Sequence, residues 1–182
     1  DASAVFPIQY VPSVRPCCSL EDFGNGCILA VDLNGPDSMP LPLVFHDDYS
    51  PALPPGHRFP MEKFRLLRDH LVDCGLTTDA ALLRPELCPS DMLALAHDRH
   101  YVERYCSGDM SRDELRRLGL PWSPQLAQRT VRAVGGSLLA ADLALQHGLA
   151  CHLAGGTHHA HHDHASGFCI FNDLAIIALS LL

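Results

Sequence analysis

The chain has 182 residues, of which 47% are hydrophobic and 19% are charged, so it is long enough to bury a core and is not disordered throughout. Its 13 Lys and Arg residues against 21 Asp and Glu residues give a net charge of -8, which excludes non-specific binding to nucleic acid as an expected function. The longest apolar run, 174–182, is shorter than the roughly 20 residues of a transmembrane helix and contains Ser180, so no membrane association is predicted.

The eight cysteines are expected to be reduced thiols. No Cys-x-x-Cys pair occurs, and a domain of this size does not need disulfides for stability. Reduced cysteines are typical of the cytoplasm or the nucleus, which are the predicted compartments.

Residues 1–38 are predicted to form an irregular N-terminal extension. Prolines and glycines interrupt this segment, and it has no sustained apolar periodicity. Its acidic residues are not typical of a transit peptide. Met39 is a candidate start of a compact domain over 39–182, and we expect limited proteolysis to remove the preceding segment early.

The domain is predicted to begin with a strand, a loop and a helix. The apolar run 41–46 is typical of a buried strand, and prolines and a glycine over 50–56 predict a loop. An amphipathic helix is expected to open at Pro60 and to end near Gly75. Its apolar face is predicted to contain four residues at helical spacing: Met61, Phe64, Leu67 and Leu71.

Two short helices are predicted next. They should cover 91–97 and 112–118, because Ser90 and Ser111 are suitable N-caps immediately before them.

The longest helix is predicted to run from an N-cap at Ser123, with Pro124 at its first position, to Gly148. The adjacent Gly135 and Gly136 weaken an isolated helix, so close packing against a neighbour is expected to compensate. The apolar face is predicted to contain Val131, Val134, Leu138 and Leu145.

A second buried strand is predicted over 150–154, and Asn172 is positioned to cap a final apolar helix. Strands that alternate with helices are typical of the α/β class. Between these two elements, five histidines fall within 158–164. Reactive groups in open α/β sheets collect beyond the carboxyl ends of strands, so this loop is the candidate site.

The pair His158 and His159 can supply both a proton acceptor and a proton donor near pH 7. Taken alone, however, adjacent histidines in a loop are more often solvated or capping residues. The residues that follow them decide between these interpretations.

Residues 155–173 read GGTHHAHHDHASGFCIFND, and this stretch resembles the signature of the zinc-dependent histone deacetylase family, including its bacterial relatives and the class IV type. The segments GHRFPM at 56–61 and HDRHYV at 97–102 are similar to two further family segments. The resemblance covers about 41–182 and is absent before Met39.

The resemblance implies an arginase/deacetylase-like three-layer α/β fold, with a parallel sheet between helices, and hydrolysis of the amide of N-acetyl-lysine in a histone or another protein. By matched position, His158 is the inner histidine, and His159 acts as general base and then as general acid. Gly167 offers its carbonyl to the substrate amide, and Phe168 lines an apolar tube for the lysine stem. Arg58 lies beside a channel that releases acetate.

The chain departs from the family pattern after the histidine motif. The family holds its zinc with an Asp-x-His pair and a more distant Asp, and uses a later Tyr, whereas this sequence ends at Leu182 before all of them. We therefore expect a truncated N-terminal part of the domain that neither holds catalytic zinc nor deacetylates by itself. Asp163 and Asp173 lie too near the motif to be assigned as the carboxylates that orient its histidines. The final apolar helix is expected to leave an exposed face that could bind a protein partner.

Several alternatives remain open from the sequence. The same histidines suit a deacylase of acetylpolyamine or of long-chain acyl-lysine, and the missing ligands suit a catalytically silent isoform or interaction fragment. A histidine-rich metal-binding protein is a third alternative, because His161, His162 and His164 could chelate zinc or nickel. Phe168 could be a core residue, and Arg58 could belong to a surface ion pair.

Overall fold

The computed structural model describes residues 41–182, so the predicted extension over 1–38 and the domain start at Met39 lie outside the described residues. Its elements in chain order are β1 (Leu43–Val44), α1 (Lys63–Asp73), α2 (Ser90–Leu93), α3 (Arg99–Ser107), α4 (Arg112–Leu118), α5 (Pro124–His147), β2 (Cys151–His152) and α6 (Asp173–Ser180). Short 3-10 turns cover Asp47–Tyr49 and Asp79–Ala81. None of the helices in this part of the chain combines the length and apolar character that a membrane crossing requires.

The two predicted strands pair with each other in parallel. Leu43 of β1 lies opposite Cys151 of β2, and Leu83 forms a further parallel bridge to β1. Both strands are shorter than predicted. β1 ends early because the His46 side chain accepts a hydrogen bond from the Asp48 amide at 3.0 Å, which turns the chain into the first 3-10 turn.

Local capping residues determine where the later helices begin, as predicted. Ser111 caps α4 in a reciprocal capping box with Glu114, and Ser123 caps α5 with Pro124 in the first turn. Asn172 accepts a hydrogen bond from the Ala175 amide and starts α6. In each case the side chain satisfies an amide that the helix leaves unpaired.

The predictions for the first two helices are wrong in detail. α1 begins at Lys63, because residues 60–62 form a separate turn in which the Pro60 carbonyl accepts from the Lys63 amide at 3.0 Å. Leu67 is 42% exposed, since the described residues leave that side of α1 uncovered. Ser90 is the first residue of α2, whose N-cap is Pro89, and this helix ends at Leu93.

Helix α3 was not predicted from the apolar pattern. The Asp98 side chain caps it by accepting from the Tyr101 amide at 2.9 Å, and the helix buries Tyr101, Val102 and Tyr105. Its two tyrosines are separated by the charged pair Glu103 and Arg104, so the apolar face is too narrow to stand out in the sequence.

Helix α5 is the centre of the fold and contacts both strands, α3 and α6. The close packing predicted for its glycine pair is confirmed. A Cβ added to Gly136 would collide with the Tyr49 hydroxyl and the His152 ring, and one added to Gly135 would collide with the Glu86 carbonyl. The predicted apolar face does not reach the end of the helix, because Leu145 is 70% exposed.

The final helix, α6, packs against α5 and α2. Ile176 is buried, whereas Leu174 and Leu179 are exposed. The predicted apolar face is therefore present, and a partner on it stays a prediction.

Candidate functional site

The site is built on the turn that follows β2. Gly156 has a φ of +92°, which a side chain would strain, and this conformation reverses the chain directly after the sheet. The Asp173 carboxylate at the start of α6 accepts hydrogen bonds from the amides of Gly156 and Thr157, each at 2.8 Å. The Thr157 hydroxyl lies 2.6 Å from the Phe171 carbonyl and 2.9 Å from Asp173. The turn is thereby tied to the beginning of α6.

A network of hydrogen-bonded polar side chains contacts this carboxylate from the side of α5. Ser137 of α5 donates to Asp173 at 2.6 Å and lies 3.0 Å from Nδ1 of His152. Nε2 of His152 lies 2.8 Å from the Tyr49 hydroxyl. The consistent arrangement of protons runs from Tyr49 to His152, then to Ser137 and Asp173, so each buried group has a partner.

Burial shifts the pKa values of the side chains in this network. Desolvation lowers the pKa of His152 to about 4, which keeps its ring neutral, and raises the pKa of Tyr49. Burial also raises the pKa of Asp173, but hydrogen bonds from Ser137, Gly156 and Thr157 outweigh burial and leave the pKa below its ordinary value. Asp173 is therefore an ionised, acceptor-only carboxylate at neutral pH.

The paired histidines lie next to each other on the exposed side of the turn. The ring centroids of His158 and His159 are 4.1 Å apart. Nδ1 of His158 lies 3.2 Å from the Gly156 carbonyl. A carbonyl can only accept, so in the neutral ring this nitrogen carries the proton and Nε2 of His158 keeps its lone pair.

Gly167 and Phe168 form a tight turn beside His159. Ser166 and Cys169 exchange two backbone hydrogen bonds, at 3.0 and 2.9 Å, across this turn. Both central residues have positive φ, +56° for Gly167 and +67° for Phe168, and Phe168 is the one such non-glycine residue over 41–182. A Cβ added to Gly167 would lie 3.5 Å from the His159 Cβ, so the structure brings these predicted site residues together.

Phe168 is held by the end of α4 and by the loop that contains Phe59. The Phe168 amide donates to the Leu118 carbonyl at 2.9 Å, and the Phe168 ring centroid lies 5.1 Å from that of Phe59. His57 joins these two parts of the chain. Its Nδ1 accepts a hydrogen bond from the Phe59 amide, so its Nε2 carries the proton and donates to the Gly119 carbonyl, both at 3.1 Å. Packing of this kind can retain a strained backbone conformation.

Arg58 is exposed, and its guanidinium lies 4.8 Å from the centre of the Phe168 ring. The structure thus brings Arg58 to the outer side of the aromatic cluster formed by His57, Phe59 and Phe168. A role in releasing an anionic product stays a prediction.

The distal part of the histidine loop is anchored by His97, which is 2% exposed. Its Nε2 accepts from the Asn172 amide at 2.8 Å, and its Nδ1 donates to the His162 carbonyl at 3.2 Å. Burial lowers the pKa of His97, which favours this neutral form. His97 therefore ties the loop to the N-terminus of α6.

Of the remaining histidines of the cluster, His161 and His164 contact each other. The rings of His161 and His164 stack with centroids 4.3 Å apart, and His164 lies 2.6 Å from the Asp163 carboxylate. Asp163 thus contacts a neighbouring histidine and not the pair at 158–159.

The described residues do not fit a catalytic zinc ion. Such a site usually takes three protein ligands and a water molecule. Over 41–182, no group of three or more His, Cys, Asp or Glu side chains is arranged to hold a metal ion.

Four polar residues that support the site could not be assigned from the sequence: His97, Ser137, His152 and Asp173. Two weak signals pointed towards them. Ser137 follows the glycine pair that implies close packing, and Asp173 follows the capping residue of α6. Neither signal identifies the partner, because the partners of Ser137 and Asp173 lie 15 to 36 positions away.

Comparisons with known proteins agree with the motif. The model of the histone deacetylase domain matches residues 57–182. An uncharacterized protein of Picosynechococcus is 51% identical over 138 residues, which cover 76% of this chain and 46% of that protein. The acetoin utilization protein AcuC of Staphylococcus aureus is 34% identical over 144 residues, which cover 74% of this chain and 35% of AcuC. The chain thus spans less than half the length of these relatives.

Solved structures share the fold. A histone deacetylase homologue complexed with SAHA superposes with a TM-score of 0.66 at 22% identity, over 79% of this chain and 41% of the homologue. The HD domain of HDA15 gives a TM-score of 0.61 at 17% identity, over 76% of this chain and 42% of that domain. These similarities confirm the predicted α/β, arginase/deacetylase-like fold.

Proposed function

The chain belongs to the histone deacetylase family. From this premise we propose that it supplies the proton-transfer groups and the acyl-lysine-binding groups of a zinc-dependent deacetylase. The proposed reaction is hydrolysis of N-acetyl-lysine in a histone or another protein. The observation that carries the proposal is the juxtaposition of two exposed imidazoles with the Gly167–Phe168 turn. A base and an apolar wall beside one another are what the hydrolysis of an acylated amine on a long apolar stem needs.

His159 is the proposed general base and acid. It accepts a proton from the water that attacks the amide carbonyl, and the carbon–nitrogen bond then breaks. The same proton is returned to the leaving lysine amine, which leaves acetate as the other product. His158 is the proposed partner, because its Nδ1–H is engaged by the Gly156 carbonyl and its Nε2 remains free to interact with the reacting water.

Gly167 and Phe168 are the proposed substrate-binding residues. The Phe168 ring offers an apolar surface to the four-carbon lysine stem, and the Gly167 carbonyl accepts from the substrate amide N–H. Support comes from the rigid attachment of Phe168 to Leu118 and from the proximity of Gly167 to His159.

Arg58 is proposed to attract the acetate product. Its guanidinium is a permanent cation beside Phe168, and carboxylates pair well with the planar donors of arginine.

A chimera tests the proposal. The matched segment of the Picosynechococcus protein is replaced by the corresponding residues of this chain, and hydrolysis of an acetyl-lysine peptide is measured with zinc present. We expect turnover by the chimera and none by the 182-residue chain alone, because residues 41–182 contain no three-ligand group. His159→Ala in the chimera should lower kcat by about 10²- to 10⁴-fold.

The matched control is His161→Ala, which removes another exposed histidine of the same loop and should leave turnover unchanged. An inactive chimera beside an active parent protein, or full activity of His159→Ala, would refute the proposal. Acetylspermidine and a long-chain acyl-lysine peptide are assayed in parallel, and a higher kcat/KM for either would favour the corresponding alternative substrate.

A further inference from the structure

We propose that Asp173 is a positioning residue that sets the orientation and the tautomer of His158 through the backbone of the preceding turn. The inference rests on the proposed function for its catalytic meaning, because it concerns how the paired histidines are prepared for proton transfer. Asp173 itself touches neither imidazole in the contacts described above.

The first step is the set of donors around the carboxylate. Asp173 is 2% exposed and accepts from the amides of Gly156 and Thr157 and from the Ser137 hydroxyl. All of these groups are donors, so only an ionised carboxylate satisfies them together. An amide in its place would present an NH₂ group to one of the two backbone N–H groups.

The second step runs through one peptide plane. The Thr157 amide, held by Asp173 at 2.8 Å, and the Gly156 carbonyl belong to the same peptide unit. The unit is planar and trans, so its N–H and C=O point in opposite directions, and a fixed N–H also fixes the carbonyl. That carbonyl lies 3.2 Å from Nδ1 of His158. Asp173 therefore controls, through Thr157, the acceptor that selects the Nδ1–H tautomer.

The third step is the rigidity of the carboxylate. Ser137 and, behind it, His152 and Tyr49 hold one of its oxygens from the side of α5. Gly155 allows the turn to approach this chain, because an added Cβ would lie only 2.9 Å from Nδ1 of His152 and 3.0 Å from Asp173.

The position of Asp173 at the first residue of α6 does not by itself explain these contacts. Asn172 already supplies the side-chain cap of this helix through the Ala175 amide. The Asp173 carboxylate is instead directed to the turn before the histidines, which is a contact that a helix-terminal charge does not require.

The test measures the His158 tautomer directly. Long-range ¹H–¹⁵N NMR spectra of the 182-residue chain at neutral pH should show the Nδ1–H form for His158. In Asp173→Asn we expect loss of this single form in favour of a mixture with the Nε2–H form, and a weaker nuclear Overhauser effect between the rings of His158 and His159. Asp163→Asn is the matched control, since it makes the same chemical change at a different carboxylate. Among the described side chains, Asp163 contacts only His164. This variant should leave the His158 tautomer unchanged.

Unfolding by urea is followed for each variant, so that global loss of structure is separated from a change at the turn. If Asp173→Asn does not fold, Ser137→Ala decides the matter, because it removes one donor to the carboxylate and should shift the His158 tautomer in the same direction. An unchanged His158 tautomer in the folded Asp173→Asn protein, or in Ser137→Ala when the former is unfolded, would overturn the proposal. The measurement needs no substrate, so failure of the hydrolysis assay leaves its result interpretable.

Discussion

Phe168 shows how single residues in this site depend on distant packing. Its φ of +67° is a conformation that costs a residue with a side chain about 1–2 kcal/mol. The cost is offset by the hydrogen bond to the Leu118 carbonyl and by contact with Phe59 and Arg58. Gly119 lies against the same ring, because an added Cβ there would be 3.1 Å from Phe168 and 3.2 Å from the Arg58 guanidinium.

Gly119→Ala is therefore predicted to displace the Phe168 ring and to lower the free energy of unfolding by more than Gly148→Ala. Both glycines end helices with similar φ, +79° and +83°, and share the backbone cost of about 1–2 kcal/mol. Gly148 is the matched control, because no described atom lies within 4 Å of a Cβ added to it. Urea unfolding and the NMR signals of the Phe168 ring provide the measurements. Equal losses of stability with an unmoved ring would contradict the prediction.

At the scale of elements, Gly135 and Gly136 lower the intrinsic helix propensity of α5 but allow close packing against it. Its glycine pair lets Tyr49 and His152 approach the helix backbone, and this approach brings His152 to Ser137. The middle of α5 is consequently part of the support beneath Asp173 and the turn before the histidines.

Gly136→Ala is predicted to destabilise the protein by about 1–3 kcal/mol, as overpacking of a core usually does. The opposite sign, a gain of about 1 kcal/mol, is the usual result for glycine to alanine inside an exposed helix. Urea unfolding distinguishes the two, and Gln146→Ala, at an exposed position of α5, is expected to change stability by less than about 0.5 kcal/mol. A stabilised Gly136→Ala protein would mean that Tyr49 and His152 do not pack against the helix as described.

At the scale of the whole molecule, buried neutral histidines join separate parts of the chain. His152 connects β2 to Tyr49 and Ser137, and His97, which precedes α3, connects the distal part of the histidine loop to the N-terminus of α6. Desolvation lowers the pKa of each ring. Protonation therefore favours the unfolded chain, in which both rings are hydrated.

The protein is predicted to lose stability as the pH falls from 6.5 towards 4. In the unfolded state His152 binds a proton from pH 6.5 downwards. In the folded state His152 binds a proton only near its lowered pKa of about 4. The full contribution is present above pH 6.5, and the loss across this window is up to about 3 kcal/mol. Charged groups near His152 act in both directions, since Asp173 raises its pKa and Arg129 lowers it.

Urea unfolding at pH 7 and pH 4.5 provides the measurement. His152→Gln retains a donor and an acceptor but does not titrate, so its stability should fall less between these pH values than that of the wild type. His147→Gln, which removes an exposed histidine at the end of α5, should keep the wild-type pH dependence. An equally steep loss in His152→Gln would show that other groups cause the acid sensitivity.

Features that arise within a few residues could be predicted from the sequence alone. The caps Ser111, Ser123 and Asn172 are examples, because each bonds to an amide three positions away. The family signature over 155–173 is equally local, and it identified the candidate histidines and the fold class. Local geometry fixes such contacts before any packing occurs.

Only the tertiary structure decided which apolar residues are covered and which polar residues support the site. Leu145 continues the periodic face of α5 but is exposed, since no element within residues 41–182 covers that end of the helix. Asp173 reaches the Thr157 amide across 16 positions, and His97 reaches the Asn172 amide across 75. These contacts depend on how helices pack around the sheet, and residue type and short-range spacing do not specify that packing.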